Sequence, residues 1–392
     1  MVADVIQTPK QGRDPATLER RTIAIGLDPL LTLAVLGLCV VSLVTLGGIS
    51  HTQMVRQGLY LGAGMVAMLV LSRFDYSRLR ELKWGLYLIL LLAILVVIAA
   101  GHSLGASTRS INVSVFSFEG SEIGKVLLIV FLAAFVVDSS RKTSSRQMVA
   151  RVMLLALLPT AMVIYEPDLG SALVYVAAAF AVLYIAGAAW QHLTAVLLLG
   201  IVALVLVLVV GPLVGFHTYQ ADRLTAFFDP GSVPASKIGA ALYQQKQSLI
   251  AIGAGQKFGL GAVPNHTAAN FVPLNSTDFI FAALAERFGF AGAAVVLSLY
   301  ALIIWRTLRI IAAAKNLFGA LVAAGVVAML LFQVFVNVGV AVDILPVTGV
   351  TLPLMSYGGS SVLTTFLALG LLQSIHAQAR IAAGTKGRVL SI

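Results

Sequence analysis

The segment NSTDFIFAALAERFGFAG, residues 275–292, begins as a polar turn and continues as an apolar helix with three charged side chains. Asp278 is predicted in the first helical turn, behind a Ser–Thr capping pair. Glu286 and Arg287 follow roughly two turns further on. A charge at the middle of a membrane helix costs about 2.5–3.5 kcal/mol, so three in one span require a reason. Either they complement the helix dipole and pair with neighbouring helices, or they form a functional site.

The composition of the whole chain indicates a membrane protein. Only 11% of the 392 residues are charged and the mean hydropathy is +0.97, whereas a soluble domain carries about 25% charged residues. We predict an all-α integral membrane protein with one transmembrane domain, residues 28–376, between an N-terminal tail, 1–27, and a C-terminal tail, 377–392. Its ten predicted transmembrane helices lie near 28–50, 57–73, 82–101, 119–137, 149–166, 169–189, 192–215, 277–304, 316–343 and 353–376.

The distribution of positive charge predicts the orientation. With the N-terminus inside, the predicted cytoplasmic segments hold most of the 26 Lys and Arg residues, so both termini are expected in the cytoplasm. The N-terminus lacks a cleavable signal pattern, so the first span is expected to act as an uncleaved anchor. The net charge of +10 favours contact with anionic membrane lipids, and no nucleic-acid motif is present.

Two irregular segments are then expected on the outer side. The first is a long extracytoplasmic loop between helices 7 and 8, residues 216–276, in which 236–256 is predicted to form an amphipathic helix lying along the membrane interface. The second, ILPVTGVTLPLMSYGGSSVL at 344–363, contains prolines and glycines that break helices at membrane depth. Such backbone survives only where protein or a water-filled cavity satisfies its polar groups.

Ionisable side chains gather at the predicted outer ends of the spans: Arg109, Glu122, Lys125, Glu166, Asp168, Arg223 and Asp278. Glu122 and Lys125 are spaced for a structural ion pair on one helix. Asp168 fits a tight turn and the N-cap of the sixth helix. Arg109 and Arg223 fit either lipid headgroups or a substrate. The six histidines show no metal-ligand spacing, and the metal content of the site is left unassigned.

Carboxylates and arginines beside a broken helix suit transfer between groups carried on lipid diphosphates. An attacking hydroxyl needs a carboxylate base, and a leaving diphosphate needs Arg, Lys or a divalent cation such as Mg²⁺ or Mn²⁺. The residues alone leave a transporter as an open alternative.

Four motifs resemble the SEDS family of bacterial membrane proteins (RodA, FtsW and relatives). They are YEPDLGSA at 165–172, YQADRLTAFFDP at 219–230, STDFIFAALAERFGF at 276–290 and LPVTGVTLPLMSYGGSS at 345–361, and the last two are long and specific. QSLIAIGAGQKFGLG at 247–261 and FEGSEIGK at 118–125 add to them. The resemblance covers the chain from the first span to the last.

The resemblance implies a peptidoglycan glycosyltransferase of the bacterial cytoplasmic membrane that polymerises lipid II into glycan strands at the outer leaflet. Its expected partners are a class B penicillin-binding protein acting as transpeptidase and other proteins of an elongation or division complex. The essential aspartate of the family corresponds to Asp278. Substrate contacts are expected from Arg109, Lys125 and Arg223, and supporting roles from Glu122, Glu166, Asp168, Glu286, Ser356 and Tyr357.

Three positions depart from the family pattern, and two of them affect the loop after the third span. Ser110 stands where the family usually has tryptophan, Gly120 where it usually has proline, and Arg287 where a second acid is common. PVTG at 346–349 and YQ at 219–220 favour the RodA branch over the FtsW branch. A lipid II flippase and a non-catalytic scaffold for the transpeptidase remain the alternative functions.

Overall fold

A computed structural model describes residues 26–104, 111–113, 116–139, 144–166, 168–210, 227, 235–261 and 275–389. Its helices are α1 Pro29–Gly47, α2 His51–Ser72, α3 Lys83–Leu104, α4 Gly120–Ser139, α5 Ser145–Tyr165, α6 Leu169–Ile185, α7 Trp190–Val210, α8 Ala235–Gly255, α9 Ile280–Ala313, α10 Leu317–Ala341 and α11 Gly359–Val389. A 3-10 helix, Tyr76–Arg80, precedes α3. Strands β1 Ile111–Val113 and β2 Phe116–Phe118 form an antiparallel hairpin.

The predicted spans all overlap helices. Within the residues that the structure describes, eight helices (α1–α5 and α9–α11) are long and apolar enough to cross a membrane. Helix α6 is apolar but shorter, with 17 residues, and α7 covers most of the predicted seventh span. The prediction of a multi-span helical membrane protein is therefore confirmed.

Helices α4, α10 and α11 form the most buried part of the bundle, and the outer helices turn leucine and valine side chains outward. Glycines let α2 and α11 approach closely. A Cβ atom on Gly64 would lie 2.2 Å from the Phe366 ring, and one on Gly370 would lie 3.1 Å from the Met68 backbone. Close backbone approach through small residues is a usual way to pack helices in lipid, where no hydrophobic effect drives them together.

Two elements go beyond the sequence predictions. The predicted C-terminal tail, from residue 377, is helical through Val389, because α11 continues past the predicted span and no proline interrupts it. The loop after the third span contains the β1–β2 hairpin, with Ile111 opposite Phe118. Three-residue strands carry too little alternation to be detected from sequence.

Helix α8 was predicted as an amphipathic helix with Ile238, Leu242, Leu249 and Ile252 on one apolar face. The side chains that it buries against α9 and α10 include Gln245 and Ser248, whereas Leu249 and Ile250 are exposed. Gln245 donates to the carbonyls of Val340 and Leu345 at 3.3 and 2.8 Å. Ser248 donates to Ala341 O at 2.8 Å. Gln245 and Ser248 face inward beside the buried Ala251, and Ile252 of the predicted apolar face also packs against the core. The two polar side chains bind the last carbonyls of α10, which have no partners within their own helix.

Helix α9 is kinked where α8 ends. Gly289 has φ 64° and ψ −163°, outside the helical region, and a Cβ there would lie 2.4 Å from Gly259 N. Residues 256–261 and 286–291, the α8–α9 junction, share four backbone hydrogen bonds: Leu260 N to Glu286 O, Gly261 N to Arg287 O, Phe290 N to Gln256 O and Ala291 N to Lys257 O. Backbone N–H and C=O groups that lose their helical partners at the kink thus bond to a neighbouring segment, because the lipid interior offers no water to satisfy them.

Candidate active site

In the described part of the chain, the termini of eight helices meet at one end of the bundle. The helices alternate in direction, so the ends of α1, α5 and α10 lie near the starts of α2, α4, α6, α9 and α11. Hydrogen bonds link these termini directly, for example Glu119 N to Ser360 Oγ at 3.1 Å and Tyr357 N to Ser276 O at 2.8 Å. We call this the Asp278 end, and we call the opposite end, where Asp28 precedes α1, the Asp28 end.

Asp278 lies in a turn, residues 275–279, and not in the first turn of α9 as predicted. The helix begins at Ile280, and its N-cap residue, Phe279, makes no side-chain capping bond. The carbonyls of three successive residues, 276, 277 and 278, accept hydrogen bonds from outside the helix. Their donors are Tyr357 N at 2.8 Å, Ser356 Oγ at 2.7 Å and Asn337 Nδ2 at 2.8 Å. These bonds hold the turn out of the helix and leave Asp278 half-buried.

The irregular segment 342–358 forms one wall of the site. Ser356 Oγ accepts from Leu352 N at 2.8 Å while it donates to the turn, and its backbone carbonyl accepts from Gln57 Nε2 at 3.1 Å. Two further bonds fix the backbone: Ser42 Oγ to Met355 O at 3.1 Å and Tyr300 OH to Pro353 O at 2.5 Å. Broken backbone is satisfied by buried side chains of α1, α2 and α9, as expected for this segment. Ser356 and Tyr357 both occupy supporting positions.

Glu122 and Lys125 form the predicted ion pair. Their Oε1 and Nζ atoms lie 2.6 Å apart, and the side chains are only 6% and 2% exposed. Burial at this level makes the pair a structural contact between two ions that have left water. Lys125 can reach a substrate diphosphate only if the pair opens, so its predicted binding role stays a prediction.

The acidic turn before α6 adjoins that pair. Asp168 caps α6 as predicted, with Oδ1 accepting from Ser171 N at 3.1 Å, and its Oδ2 accepts from Ser121 Oγ at 3.1 Å. Tyr175 OH donates to Ser121 O at 2.9 Å, which ties α6 to α4. Glu166 is 1% exposed. The contacts of Asp168 favour a structural role for it, and the supporting role of Glu166 stays a prediction.

The charges deeper in α9 have separate surroundings. Arg287 Nη1 donates to Val44 O at 2.6 Å and approaches Thr45 O at 3.5 Å, at the C-terminus of α1. A guanidinium there complements the negative end of the helix dipole. Glu286 is buried, at 2% exposure. Arg287 thus matches the prediction of charges paired with a neighbouring helix.

Several predictions fall outside the described residues: Arg109, Arg223 and Pro167. In the part of the chain that is described, no group of three or more His, Cys, Asp or Glu side chains could hold a metal ion. The described residues alone therefore do not form a protein site for a divalent cation.

Sequence reasoning missed Asn337. This residue lies in the apolar helix α10, is 1% exposed, and donates from Nδ2 both to Asp278 O and to Val350 O at 2.8 Å. A polar side chain inside a span is costly and marks a function by default, so the two amides in FQVFVNVGVA, Gln333 and Asn337, were an available signal.

Comparison with known proteins identifies the family. A family model described as "Cell cycle protein", covering FtsW, RodA and SpoVE, matches residues 21–381. "Peptidoglycan glycosyltransferase MrdB" of Escherichia coli K12 is 35% identical over 90% of this chain and 94% of its own length. "Probable peptidoglycan glycosyltransferase FtsW" of Thioalkalivibrio sulfidiphilus is 38% identical, with 82% of this chain and 79% of that protein covered.

Solved structures agree. A chain from a study of "polymerization and crosslinking by a peptidoglycan synthase complex" superposes with a TM-score of 0.75 at 29% identity, and the match covers 91% of this chain and 99% of that one. The motifs at 276–290 and 345–361, which carried the resemblance in the sequence, are the two segments that hydrogen-bond around Asp278. The chain belongs to the FtsW/RodA/SpoVE family, the SEDS family of multi-pass membrane proteins.

Proposed function

We propose that this protein is a peptidoglycan glycosyltransferase that polymerises lipid II, with Asp278 as the base that activates the acceptor sugar. One observation carries the proposal: Asp278 is half-buried in a turn that two family motifs and the buried amide of Asn337 hold in place. Relatives at 35% and 38% identity are named peptidoglycan glycosyltransferases. A half-buried carboxylate next to a helix N-terminus suits proton abstraction from a bound hydroxyl.

In the proposed reaction, a hydroxyl oxygen of the acceptor sugar attacks the anomeric carbon of the donor. The bond from that carbon to the diphosphate oxygen breaks, and the lipid diphosphate leaves with the electron pair. Asp278 takes the hydroxyl proton. Arg223 and Arg109 stabilise the charge on the leaving diphosphate, while Glu122 retains its ion pair with Lys125 until substrate competes for the ammonium.

The proposed setting is the bacterial cytoplasmic membrane, crossed by ten helices with both termini in the cytoplasm and the Asp278 end facing outward. The distribution of Lys and Arg supports this orientation. A class B penicillin-binding protein, as transpeptidase, is the proposed partner. A neighbour taken from a peptidoglycan synthase complex supports that assignment. Within the family, the motifs at 219–220 and 346–349 favour the RodA branch and a role in cell elongation.

Helix α8 has a proposed role at the membrane surface. Its exposed Tyr243, Leu249 and Ile250 offer an apolar surface to lipid, and its polar face packs on α10. In the proposed arrangement α8 lies at the outer interface and borders the route by which lipid tails enter.

Replacing the base tests the proposal. Purified protein, its transpeptidase partner and labelled lipid II are combined, and glycan polymer is measured for the wild type and for Asp278→Asn. Loss of a general base should lower the rate on the order of 10²–10⁴-fold. Asp343→Asn is the matched control, because it makes the same chemical change in an exposed residue at the same end of the bundle. Equal polymer from wild type and Asp278→Asn would remove Asp278 from its role.

The same assay separates the alternative functions. If the protein is only a scaffold, it forms no polymer itself, and Asp278→Asn does not impair its role. If it is a flippase, it moves labelled lipid II across vesicle membranes without polymerising it. A flippase needs polar groups along a path through the membrane, and Glu286 and Arg287 are the charges that lie deeper than the outer cluster. Arg287 donates to the carbonyl of Val44 in α1. That contact favours the polymerase.

A divalent cation remains a proposed cofactor. If Mg²⁺ or Mn²⁺ bridges the diphosphate, chelation should lower the polymerisation rate, and readdition should restore it. Thermal unfolding measured without substrate is the control, because a cation brought by the diphosphate should not change it. An unchanged rate in chelator would exclude the cation from the reaction.

A further inference from the structure

We propose that Asn337 is a positioning residue for this reaction: its side-chain amide holds the Asp278 turn out of helix α9 and so sets the direction of the carboxylate. This inference rests on the proposed function, because it assigns Asn337 a role in aligning the base.

The contacts of Asn337 use both hydrogens of the amide nitrogen. One N–H···O bond reaches Asp278 O and the other reaches Val350 O, each at 2.8 Å, and the side chain is 1% exposed. The carbonyl carbon of residue 278 is bonded to the Cα atom that carries the carboxylate side chain. Fixing this carbonyl therefore limits the directions in which that side chain can leave the backbone.

The amide also decides where α9 begins. A helix starting earlier would need the carbonyls of residues 276–278 to accept from N–H groups four positions later. Phe279 O, just before α9, accepts from Ala282 N and Ala283 N, three and four positions later, at 3.0 and 3.4 Å. Three external donors hold the preceding carbonyls away, and only the donor from Asn337 binds the residue that carries the carboxylate.

Asn337 also belongs to a more regular and more buried element than the other two donors do. Ser356 and Tyr357 belong to the irregular segment 342–358, whereas Asn337 belongs to the buried helix α10. Its second bond, to Val350 O, ties that segment to the same amide. One side chain thus joins the turn, the irregular segment and a rigid helix.

Loss of the amide should misplace the carboxylate. A turn released from Asn337 can join α9, and each residue added to a helix shifts it by about 1.5 Å and rotates it by about 100°. A misplacement of about 1 Å can cost on the order of 100-fold in rate. Substrate binding depends on other groups, so the effect should fall on kcat more than on KM.

The test is Asn337→Leu, which keeps a similar volume and removes both donors. The full chain, with its transpeptidase partner, is assayed on labelled lipid II, with rates expressed per folded protein. We expect kcat to fall roughly 10–100-fold and KM to change less than about 3-fold. The matched control is Gln373→Leu, another buried amide, which bonds Asp28 N and Thr32 Oγ1 at the Asp28 end. It should lower thermal stability and leave kcat per folded protein unchanged.

Each outcome has one meaning. Wild-type kcat in folded Asn337→Leu overturns the inference, and so does an equal loss of kcat in Gln373→Leu, since that would reflect general loosening. If Asn337→Leu does not fold, Ser356→Ala is tested in its place, because Ser356 Oγ binds the same turn. A loss of kcat with little change in KM supports the idea that the bonds to this turn position the carboxylate, and a wild-type kcat overturns it. Asp278→Asn, assayed in parallel, separates failure of the positioning role from failure of the proposed function. Full activity there refutes the proposed base, whereas an inactive Asp278→Asn beside a fully active Asn337→Leu refutes only the positioning role.

Discussion

The two ends of the bundle satisfy their polar groups by different means. At the Asp28 end, charged side chains join regular helices: Asp28 caps α1 and accepts from Arg306 Nε of α9 at 2.8 Å, and Asp138 pairs with both Arg80 and Lys83. At the Asp278 end, broken backbone is held mostly by neutral donors, among them Gln57, Ser356 and Asn337.

The difference bears on function. Ion pairs at the Asp28 end neutralise their carboxylates and fix helices to one another. Neutral donors at the Asp278 end bind carbonyl oxygens and so shape the backbone. The charged contacts at that end include the buried Glu122–Lys125 pair within one helix, the Asp168 cap of α6 and Arg287 at the end of α1. The following experiments test this contrast, from the largest expected effect to the smallest.

The α8–α9 junction should tolerate no side chain at its kink. Gly289→Ala would place a Cβ within 2.6 Å of three backbone atoms of residues 257–259 at a φ/ψ pair open only to glycine. We expect a loss above about 5 kcal/mol, or no folded protein, in thermal or denaturant unfolding.

Gly187→Ala is the matched control for the kink. Gly187 lies between α6 and α7, at the Asp28 end, with φ +79° and no atom within 4 Å of an added Cβ. It should cost only the strain of a left-handed residue, about 1–2 kcal/mol. Equal losses in the two variants would show that backbone conformation, and not the junction, causes the effect.

Breaking the buried ion pair should cost less than the kink but more than breaking an exposed one. Glu122→Ala leaves Lys125 charged and buried, which should cost about 3–5 kcal/mol of unfolding free energy. Arg80→Ala at the opposite end should cost less than about 1 kcal/mol, because Arg80 is 44% exposed and Asp138 keeps Lys83.

A double variant checks the cause. Glu122→Gln combined with Lys125→Met removes both charges and should recover most of the stability lost in Glu122→Ala. If Glu122→Ala unfolds like the wild type, the pair contributes nothing and the contrast between the ends fails.

The smallest effect is a pH dependence at the Asp28 end. Burial raises the pKa of Asp75, but hydrogen bonds from Ser77 and Gln378 outweigh it and hold the pKa below its usual value. A lowered pKa means that the folded state binds the proton more weakly, so the stabilisation is present above about pH 4 and is lost as pH falls through the folded pKa.

Asp75→Asn measures this dependence. The stability difference between wild type and variant should be constant from about pH 5 to 7 and shrink below about pH 4. A difference that does not change with pH would mean that the charge of Asp75 contributes nothing to the fold.

Many features of the site were predictable because they depend on neighbours in sequence. Three-residue spacing on a helix brings Glu122 to Lys125, and an aspartate before an apolar run caps α6 at Asp168. Irregular backbone at 342–358 follows from its prolines and glycines. The contact of Asn337 with Asp278 and that of Arg287 with Val44, by contrast, join residues 59 and 243 positions apart, which no local pattern encodes.

By itself, the sequence determined the helical membrane fold, since long apolar segments leave the backbone no other way to satisfy its hydrogen bonds in lipid. It also determined which residues carry charge near the site. Only the tertiary structure decided that Asp278 lies ahead of α9 and that α8 turns its glutamine and serine inward. In both places, unpaired groups on one segment were matched by donors from another, and such bonds outweigh the local preference for helix or for an apolar face.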